Sequence, residues 1–367
     1  MNRRIHFVVP GSLEQRTGGY LYDAHMVAGL RERGWSVTVH GLDGTFPIAD
    51  EVSRRSLASA LESICDGATV VLDGLAMGGL PDPLSHHRDR LRLVGLVHHP
   101  LADETGLTGR EQARLEKLER VALSAVDGVV TTSLFTLRRL EEFGVPVDRM
   151  RSVIPGTESP ASWPGMRGVE PTSAPLPQEP VLLCVGTMIP RKGQDVLIEA
   201  LAELASHPWQ CVCVGSLDRD PEFSLRVRDL LAKHGLQGRV RLTGELAGEQ
   251  LLHWYRTASL FVLPSHYEGY GMALTEALQH GLPVVSTTGG AIPHTVPAGT
   301  GILVPPGDSG ALAAAIRSLL TDPVGRAACA AEARAHAATL PDWSTQVDAF
   351  GRAVLELSGA RSDEETS

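Results

Sequence analysis

The sequence predicts an α/β fold of two doubly wound parallel-sheet domains in tandem. The chain has 367 residues, and domains usually contain roughly 100–200 residues. Short, almost wholly apolar segments alternate with amphipathic segments of helical period, which is typical of parallel strands covered on both faces by helices. This alternation is interrupted once, by a stretch rich in Pro, Gly and Ser that has no periodicity.

The first half of the chain contains one series of strands and helices. The apolar segment IHFVV at 5–9 is the first predicted strand, and a glycine-rich loop follows it. Residues 20–33 predict a helix whose apolar positions include Leu21 and Leu30. The other predicted strands of this half are 36–42, 68–74, 91–99 and 127–133, and a second helix is predicted at 111–125.

The second half repeats the alternation after the interruption. We therefore predict a first domain at 1–157, a linker at 158–180 and a second domain at 181–340. A helix is predicted at 341–357, and the polar residues 358–367 predict a disordered tail. The predicted strands of the second domain are 181–187, 209–215, 240–244, 259–265, 282–288 and 301–306, and its predicted helices are 194–205, 222–234, 272–280 and 309–321.

Composition and charge exclude several classes of protein. The formal net charge is −10, which argues against a general nucleic-acid surface because such a surface needs excess Lys and Arg. The sequence has neither a secretory signal pattern nor 18 continuous apolar residues, so we expect a cytoplasmic protein, with peripheral membrane contact left open. The five cysteines lack CxxC spacing and predict buried free thiols, rather than a metal site or a disulfide. Nothing in the sequence indicates the oligomeric state.

The strongest functional pattern is SHYEGYGMALTE at 265–276. Glu268 lies in a glycine-rich loop after a predicted strand, and the next helix begins near Gly271 or Met272. The amides at a helix N-terminus bind phosphate well. One carboxylate, Glu268, would then serve sugar hydroxyls and the other, Glu276, ribose hydroxyls. The alternative is an ordinary helix start with two solvated glutamates.

A second pattern is VGTMIPRKG at 185–193. The predicted strand ends at Gly186, and a short loop then carries Arg191 and Lys192. A guanidinium fork and an ammonium point charge together suit a diphosphate, and they would balance its charge without a metal ion. A solvated basic pair before a helix is the alternative.

Two further patterns follow predicted strands of the first domain. Gly18 and Gly19 directly precede the first helix, and His98 and His99 end the strand at 91–99. Ligands of open α/β sheets bind at the carboxyl ends of the strands, so both patterns are candidates for a binding site. A simple helix-entry turn and packed structural histidines are the alternatives.

Two acidic patterns carry less weight. Asp103 and Glu104 lie in the loop after the histidine pair and could face an acceptor, although acidic loop residues are usually only solvated. The DxD pattern at 218–220 resembles a metal-binding motif, but it lies in a polar loop without companion ligands. We therefore predict no metal site.

The segments SHYEGYGMALTEALQHGLPVV and STTGGAIPHTVPAGTGILVPPGD resemble the signature of retaining glycosyltransferase family 4 (glycosyl transferases group 1). One departure is His294, where the family usually has an acidic residue. The resemblance implies a GT-B fold, in which two Rossmann-like domains face a cleft. The second domain would bind the donor, the first would bind the acceptor, and the helix at 341–357 would cross back to the first domain.

The resemblance also implies the activity. We expect transfer of a hexose-type sugar from a nucleotide diphosphate sugar, most simply a UDP- or GDP-sugar, to a hydroxyl of a glycan, lipid-linked or small-molecule acceptor. Retention of configuration is implied by the family, and no cofactor or metal is expected. The alternatives are a sugar-nucleotide epimerase of the same fold and a non-catalytic nucleotide-sugar-binding protein.

Family roles are carried over to the matching positions of this chain. His98 is our choice for the sugar contact, with His99 as the alternative, and His99 otherwise joins Asp103 and Glu104 on the acceptor side. The expected catalytic residues are His98, Arg191, Lys192 and Glu268. The expected donor-binding residues are Gly18, Gly19, Gly186, Arg191, Lys192, Leu246, Glu268, Tyr270, Gly271, Met272, Ala273 and Glu276.

Overall fold

A computed structural model describes residues 3–158 and 179–359. The described chain divides into two compact units: one runs to Gly156 and resumes at Pro341, and the other is Thr157–Leu340. Each unit contains a parallel sheet of six strands with helices, so the predicted α/β class is confirmed. Most of the predicted linker and tail lies outside the described residues, and the predicted cleft between the domains stays a prediction.

The first unit has the strand order β2-β1-β3-β4-β5-β6, and every neighbouring pair is parallel. Its central strands are buried on both faces, as their unbroken apolar sequences predicted. The strands are β1 Arg4–Pro10, β2 Ser36–Leu42, β3 Thr69–Asp73, β4 Arg92–Val97, β5 Gly128–Thr131 and β6 Met150–Ser152. The helices are α1 Gly18–Glu32, α2 Glu51–Glu62, α3 Gly74–Met77, α4 Pro81–His87, α5 Gly109–Ala125 and α6 Leu134–Glu142.

The second unit has the strand order β12-β11-β10-β7-β8-β9, again with parallel neighbours. The strands are β7 Val181–Val185, β8 Gln210–Val214, β9 Val240–Leu242, β10 Leu260–Leu263, β11 Val284–Thr287 and β12 Gly301–Val304. The helices are α7 Gln194–Glu203, α8 Pro221–Lys233, α9 Glu249–Thr257, α10 Met272–Gln279, α11 Ile292–Thr295, α12 Ser309–Thr321 and α13 Pro323–Ala337.

Several elements differ from the sequence predictions. The edge strand β6 has only three residues, too few for a periodic pattern to be recognised. Helix α13 is rich in alanine and buries little more than Ala333, so it lacks an apolar stripe. Cys184, Cys211 and Cys213 are buried and free as expected, but Cys65 is free and exposed. Its place after α2, between the helix end and a turn, does not require burial.

The strand orders decide which loops become neighbours. In the first sheet β1 lies between β2 and β3, and in the second β7 lies between β10 and β8. At such a reversal of strand order the loops leaving adjacent strands diverge to opposite faces, and the gap between them is the usual ligand site of an open α/β sheet. The loops after β1 and β3 flank this gap in the first unit, and those after β7 and β10 flank it in the second.

The helix α14, Trp343–Leu357, completes the first unit. Its Phe350 is fully buried, with ring centroids 6.4 Å from Phe7 of β1 and 6.3 Å from Tyr22 of α1. The side chain of Val347 packs so closely on Gly29 of α1 that a Cβ there would lie 2.5 Å from it. Residues late in the sequence are therefore part of the core of the first unit. Among the helices of the described residues, none combines the length and apolar character needed to cross a bilayer.

Replacing Phe350 with alanine should destabilise the first unit. Loss of a fully buried phenylalanine costs about 3–5 kcal/mol because it removes apolar burial and leaves a cavity. We expect lower protection from hydrogen exchange in α1 and β5, measured by mass spectrometry in dilute urea, with α7 and α10 unchanged. Arg352→Ala, at an exposed position of the same helix, is the matched control. Equal protection in the two variants would contradict this role of α14.

Candidate functional site

A compact polar cluster in the second unit joins Glu268 to the two predicted cations. A short 3₁₀ helix, Pro190–Lys192, follows the loop after β7 and carries both of them. Lys192 Nζ lies 2.5 Å from Glu268 Oε1, and Arg191 Nη1 lies 3.4 Å from Oε2. The hydroxyl of Ser265 donates to Oε1 at 2.6 Å. The loops after β7 and β10 therefore meet through one carboxylate.

The charges of this cluster are largely shielded from water. Burial raises the pKa of Glu268, but the charges of Lys192 and Arg191 outweigh burial and hold it below its ordinary value of 4.5, so Glu268 is ionised near neutral pH. Burial lowers the pKa of Lys192, and Glu268 offsets this only in part. With both cations charged, the cluster carries one excess positive charge, which suits an anionic ligand.

The helix α10 begins directly beside this cluster. Gly271 has φ +96°, a left-handed conformation that residues with a Cβ adopt only at a cost, and a Cβ there would lie 2.7 Å from Leu274 Cδ1. The chain can thus turn sharply into α10 at Met272. The first amides of an α-helix, here those of Met272 and Ala273, have no partner within the helix and attract anions. The carbonyl of Tyr270 accepts a hydrogen bond from the Thr295 hydroxyl at 2.5 Å, and burial raises the pKa of Tyr270 to about 12.

Glu276, one turn into α10, has a buried tyrosine as its partner. The Tyr255 hydroxyl donates to Glu276 Oε2 at 2.7 Å, and the Tyr255 ring stacks on His280 with centroids 4.8 Å apart. Burial raises the pKa of Glu276 above its ordinary value, and the hydrogen bond from Tyr255 offsets this rise only in part. Sequence analysis missed Tyr255 because it comes from α9 and no motif marks it. The hydrogen bond fixes the orientation of the carboxyl group.

The remaining predicted donor residues of this unit have simpler surroundings. Gly186 follows β7, and its amide donates to the carbonyl of Val214 at 2.8 Å. Leu246, in the loop before α9, packs against the hydrophobic core of the second unit. The second aspartate of the DxD pattern, Asp220, accepts a hydrogen bond from the Phe223 amide at 2.9 Å and so caps α8. This cap gives Asp220 a structural role.

A second polar cluster lies at the carboxyl edge of the first sheet and centres on His98. His98 Nε2 is 3.1 Å from Asp23 Oδ1 in α1 and 3.5 Å from Asp73 Oδ2 at the end of β3. Gly19 packs against the imidazole, since a Cβ on Gly19 would lie 3.2 Å from Cδ2 of the ring. Gly18 is the first residue of α1. The loops after β1, β3 and β4 thus bring the predicted Gly-Gly and histidine motifs together.

Sequence analysis missed both aspartates of this cluster. Asp23 lies on the buried face of α1, where periodicity places apolar residues, and Leu21, predicted to be on that face, is instead 39% exposed. Asp73 ends the strand VVLD at the same sheet edge as His98, and this was the one signal available in the sequence. Among the described residues the three side chains have ligand-type atoms within 4.8 Å of one another. They are close enough to share a proton or a cation, and the absence of a cofactor stays a prediction.

The protonation of the cluster around His98 follows from burial and charge. Burial lowers the pKa of His98, but the charges and hydrogen bonds of Asp23 and Asp73 outweigh it and raise the pKa to about 10. Burial raises the pKa of Asp23 to about 7, although His98 opposes this rise. At least one proton is therefore held in the cluster at neutral pH.

The predicted acceptor-side residues take part in local polar contacts. His99 Nε2 lies 3.3 Å from Glu104 Oε2, and the Arg139 guanidinium binds both carboxylate oxygens of Asp103, with its Nη2 2.9 Å from Oδ1. The Leu101 amide donates to Glu119 Oε2 of α5 at 2.9 Å, and burial raises the pKa of Glu119 to about 8. These contacts hold the loop after β4 in place. A direct role of Asp103 toward an acceptor stays a prediction.

Comparisons with known proteins identify relatives over most of the chain. Residues 179–322 match the family described as glycosyl transferases group 1. D-inositol 3-phosphate glycosyltransferase of Acidothermus cellulolyticus is 33% identical over 335 residues, which cover 87% of this chain and 67% of the relative. The protein of the same name from Nocardia farcinica is 30% identical, covering 75% of this chain and 64% of the relative. The chain thus spans about two thirds of the length of these curated relatives.

Solved structures support the fold. Sucrose-phosphate synthase of Thermosynechococcus elongatus superposes with a TM-score of 0.82 at 23% identity and covers 98% of this chain and 100% of that structure. HepE of Anabaena, solved in complex with UDP-glucose, superposes with a TM-score of 0.71 at 19% identity, covering 95% of this chain and 98% of that structure. Both similarities are evidence for the fold of the chain alone.

Replacing Glu268 with glutamine should destabilise the second unit by about 3–5 kcal/mol, because two largely buried cations lose their anionic partner. Since the pKa of Glu268 lies below 4.5 in the folded protein, its ionisation contributes stability above that pH, and this contribution disappears as Glu268 becomes protonated at lower pH. The gap between the urea unfolding midpoints of wild type and variant should therefore narrow as the pH falls below about 5.

Glu199→Gln, at an exposed position of α7, is the matched control and should change the midpoint little. A Glu268→Gln protein as stable as this control at pH 7 would contradict the proposed importance of the ion pairs.

Proposed function

The chain belongs to the glycosyl transferases group 1 family, and on that premise we propose that it is a retaining, metal-independent glycosyltransferase of family 4. It transfers a hexose-type sugar from a nucleotide diphosphate sugar to a hydroxyl group of an acceptor. The observation that carries this proposal is the cluster of Arg191, Lys192 and Glu268 beside the N-terminus of α10. A cytoplasmic location stays a prediction.

The diphosphate of the donor is the best match for this cluster. Arg191 and Lys192 lie together at the carboxyl end of β7 and are mostly shielded from water, with 14% and 16% of their side chains exposed. Their attraction for phosphate oxygens is stronger there than at an open surface, because the local dielectric is lower. The first amides of α10 add donors for the same group. Together these groups replace the charge that a divalent cation would otherwise supply.

The two glutamates have different proposed partners. Glu268 Oε1 accepts from Lys192 and Ser265, whereas Oε2 has a longer contact, with Arg191 at 3.4 Å. Oε2 is therefore the oxygen proposed to accept hydrogen bonds from sugar hydroxyls. Glu276 is held by Tyr255 and is proposed to bind the ribose. The polar contacts of each glutamate therefore orient its carboxyl group, and each carboxyl group is proposed to bind a different part of the donor.

The proposed chemistry is a front-face substitution. The bond between the anomeric carbon and the donor phosphate breaks, a bond from the acceptor oxygen forms on the same face, and the acceptor proton passes to the leaving phosphate. Arg191, Lys192 and the α10 amides stabilise the negative charge that develops on the leaving diphosphate. His98 is proposed as the histidine that contacts the sugar, on the family resemblance.

A small-molecule acceptor is favoured over a glycan or a lipid-linked one. The relatives from Acidothermus cellulolyticus and Nocardia farcinica are named for transfer to an inositol phosphate. A UDP-sugar donor is supported by the UDP-glucose complex of HepE. A GDP-sugar is supported by a mannosyltransferase of Corynebacterium glutamicum that is named as GDP-mannose-dependent and is 32% identical over 177 residues.

The test is a donor panel with the purified full-length protein in EDTA. We expect one of UDP-, GDP-, ADP- or dTDP-sugars to raise the melting temperature selectively and to release its nucleoside diphosphate slowly. Lys192→Met should lower the rate of this release by about 10²–10³-fold, as loss of one stabilising group at a developing charge usually does. Lys233→Met, at an exposed position of α8, should leave the rate unchanged.

Two outcomes would overturn the proposal. Activity that needs an added divalent cation would rule out metal independence. Conversion of the sugar nucleotide to an isomer, without release of a nucleoside diphosphate, would indicate an epimerase. Mass spectrometry of the products distinguishes these results from transfer.

A further inference from the structure

The Asp23–Asp73–His98 cluster has a feature that the family resemblance does not explain, namely two buried carboxylates that face one imidazole nitrogen. We propose that Asp23 and Asp73 are positioning residues that hold His98 as a fixed imidazolium, so that His98 acts on its substrate as a hydrogen-bond donor through Nδ1 and not as a base. This inference rests on the proposed function only for the identity of the substrate. The charge and orientation of His98 can be tested without any substrate.

The contacts first determine which nitrogen carries a hydrogen. Both carboxylate contacts are made by Nε2, at 3.1 Å to Asp23 Oδ1 and 3.5 Å to Asp73 Oδ2. A carboxylate oxygen can only accept a hydrogen bond, so a bare Nε2 would direct its lone pair at two negative oxygens. With both carboxyl groups ionised, Nε2 carries a hydrogen, and the ring is either the neutral Nε2–H tautomer, whose Nδ1 could accept a proton, or the imidazolium, whose Nδ1 can only donate. If Asp23 were instead protonated, it would donate to a bare Nε2 and the ring would be neutral.

Burial of the two carboxylates favours the imidazolium. Asp23 is completely buried and Asp73 is 5% exposed, so two negative charges beside a neutral ring would lack compensation in a poorly solvated place. Among the described residues, Asp23 Oδ2 has no hydrogen-bond partner, so His98 is the group that compensates Asp23. The second oxygen of Asp73 is engaged elsewhere, because Oδ1 accepts from the Leu75 amide at 2.6 Å and caps α3.

Tyr22, another neighbour of His98, does not supply a competing charge. Tyr22 of α1 meets the imidazole edge-on, with centroids 5.5 Å apart, but its hydroxyl donates to the carbonyl of Val153 at 2.9 Å. Burial raises the pKa of Tyr22 well above its ordinary value, so the phenol stays neutral. The two aspartates are the charged groups that raise the pKa of His98, to about 10 against the opposing effect of burial. The ring should therefore stay charged throughout the neutral range.

The surroundings also fix the direction of the ring. Gly19 lies so close that a Cβ there would be 3.2 Å from Cδ2 and 3.4 Å from Nε2, and Tyr22 covers another edge. The Thr136 hydroxyl donates to the His98 carbonyl at 3.2 Å and holds the backbone. Because the two N–H bonds of an imidazolium diverge, fixing Nε2 on the aspartates directs Nδ1–H away from them. The substitution Gly19→Ala would have to displace this ring.

The competing occupant of the cluster is a divalent cation. Two carboxylates and an imidazole with ligand atoms within 4.8 Å of one another could bind one. Nε2 would then bind the metal in place of its hydrogen, and His98 would no longer be an imidazolium. The charge state of the ring thus distinguishes the two possibilities.

The first experiment is NMR spectroscopy of the full-length protein labelled with ¹⁵N in its histidines, after treatment with EDTA and without substrate. His98→Gln assigns the resonances. We expect both ring nitrogens of His98 to carry hydrogens at pH 8, where most histidines are neutral. Asp23→Asn, nearly isosteric with the native residue, should lower the pKa of His98 by about 1–3 units, since it removes an adjacent opposite charge. Asp73→Asn should act in the same direction.

The matched control is Asp127→Asn. Asp127 accepts a hydrogen bond from the Leu93 amide of β4, so its replacement perturbs the same strand without facing the imidazole, and it should leave the titration of His98 unchanged. A neutral His98 ring at pH 8 in the wild type would overturn the proposal. So would loss of the Nε2 hydrogen on addition of stoichiometric Zn²⁺ or Mn²⁺, which would assign the cluster to a metal.

The second experiment uses the donor found in the panel above. The alkaline limb of the kcat profile should move to lower pH by about 1–3 units in Asp23→Asn, with a smaller change in KM, and Asp127→Asn should keep the wild-type profile. A rate that rises as His98 loses its proton would show that His98 acts as a base. If no donor is turned over, the proposed function fails, but the NMR result still decides the state of His98.

Discussion

The compensation of buried charge within each unit is the constraint on which the polar clusters depend. Glu268 can remain ionised beneath the protein surface because Lys192, Arg191 and Ser265 all contact its carboxylate. An isolated carboxylate in such a place would become protonated, or the structure around it would unfold. The same requirement acts in the first unit, where the imidazole of His98 faces two buried aspartates. Each cluster is therefore a structural unit as well as a candidate for chemistry.

Parallel strand order explains why these groups can meet at all. The loop after β7 carries the cations and the loop after β10 carries Glu268, and β7 and β10 are neighbours in the sheet although they are far apart in the chain. In the first unit, β1, β3 and β4 are adjacent in the same way, so the loops that contain Gly19, Asp73 and His98 end at one edge. Because all strands are parallel, every loop at that edge follows a carboxyl end. Polar side chains can therefore lie close together at this edge without being placed in the apolar core.

The two units differ in how well the sequence predicts their polar sites. In the second unit the glutamates, the basic pair and the helix start lie within two short motifs, and the structure joins these motifs as strand-end loops. In the first unit the motifs locate Gly19 and His98, but neither Asp23 nor Asp73 forms part of a recognisable spacing. The polar partner of Glu276 was also missed, because Tyr255 belongs to an amphipathic helix whose buried position resembles that of any core aromatic residue.

The sequence by itself determined the α/β class, the order of the strands β1 to β5 and β7 to β12 along the chain, and the loops that carry Arg191, Lys192, Glu268 and His98. These features depend on local periodicity and on glycines at turns, which short segments encode. Only the tertiary structure decided that α1 is the helix on which α14 packs and that Asp23 meets His98, 75 residues further along the chain. Such contacts depend on strand order and on the direction of buried side chains, and neither is encoded by residues that are neighbours in sequence.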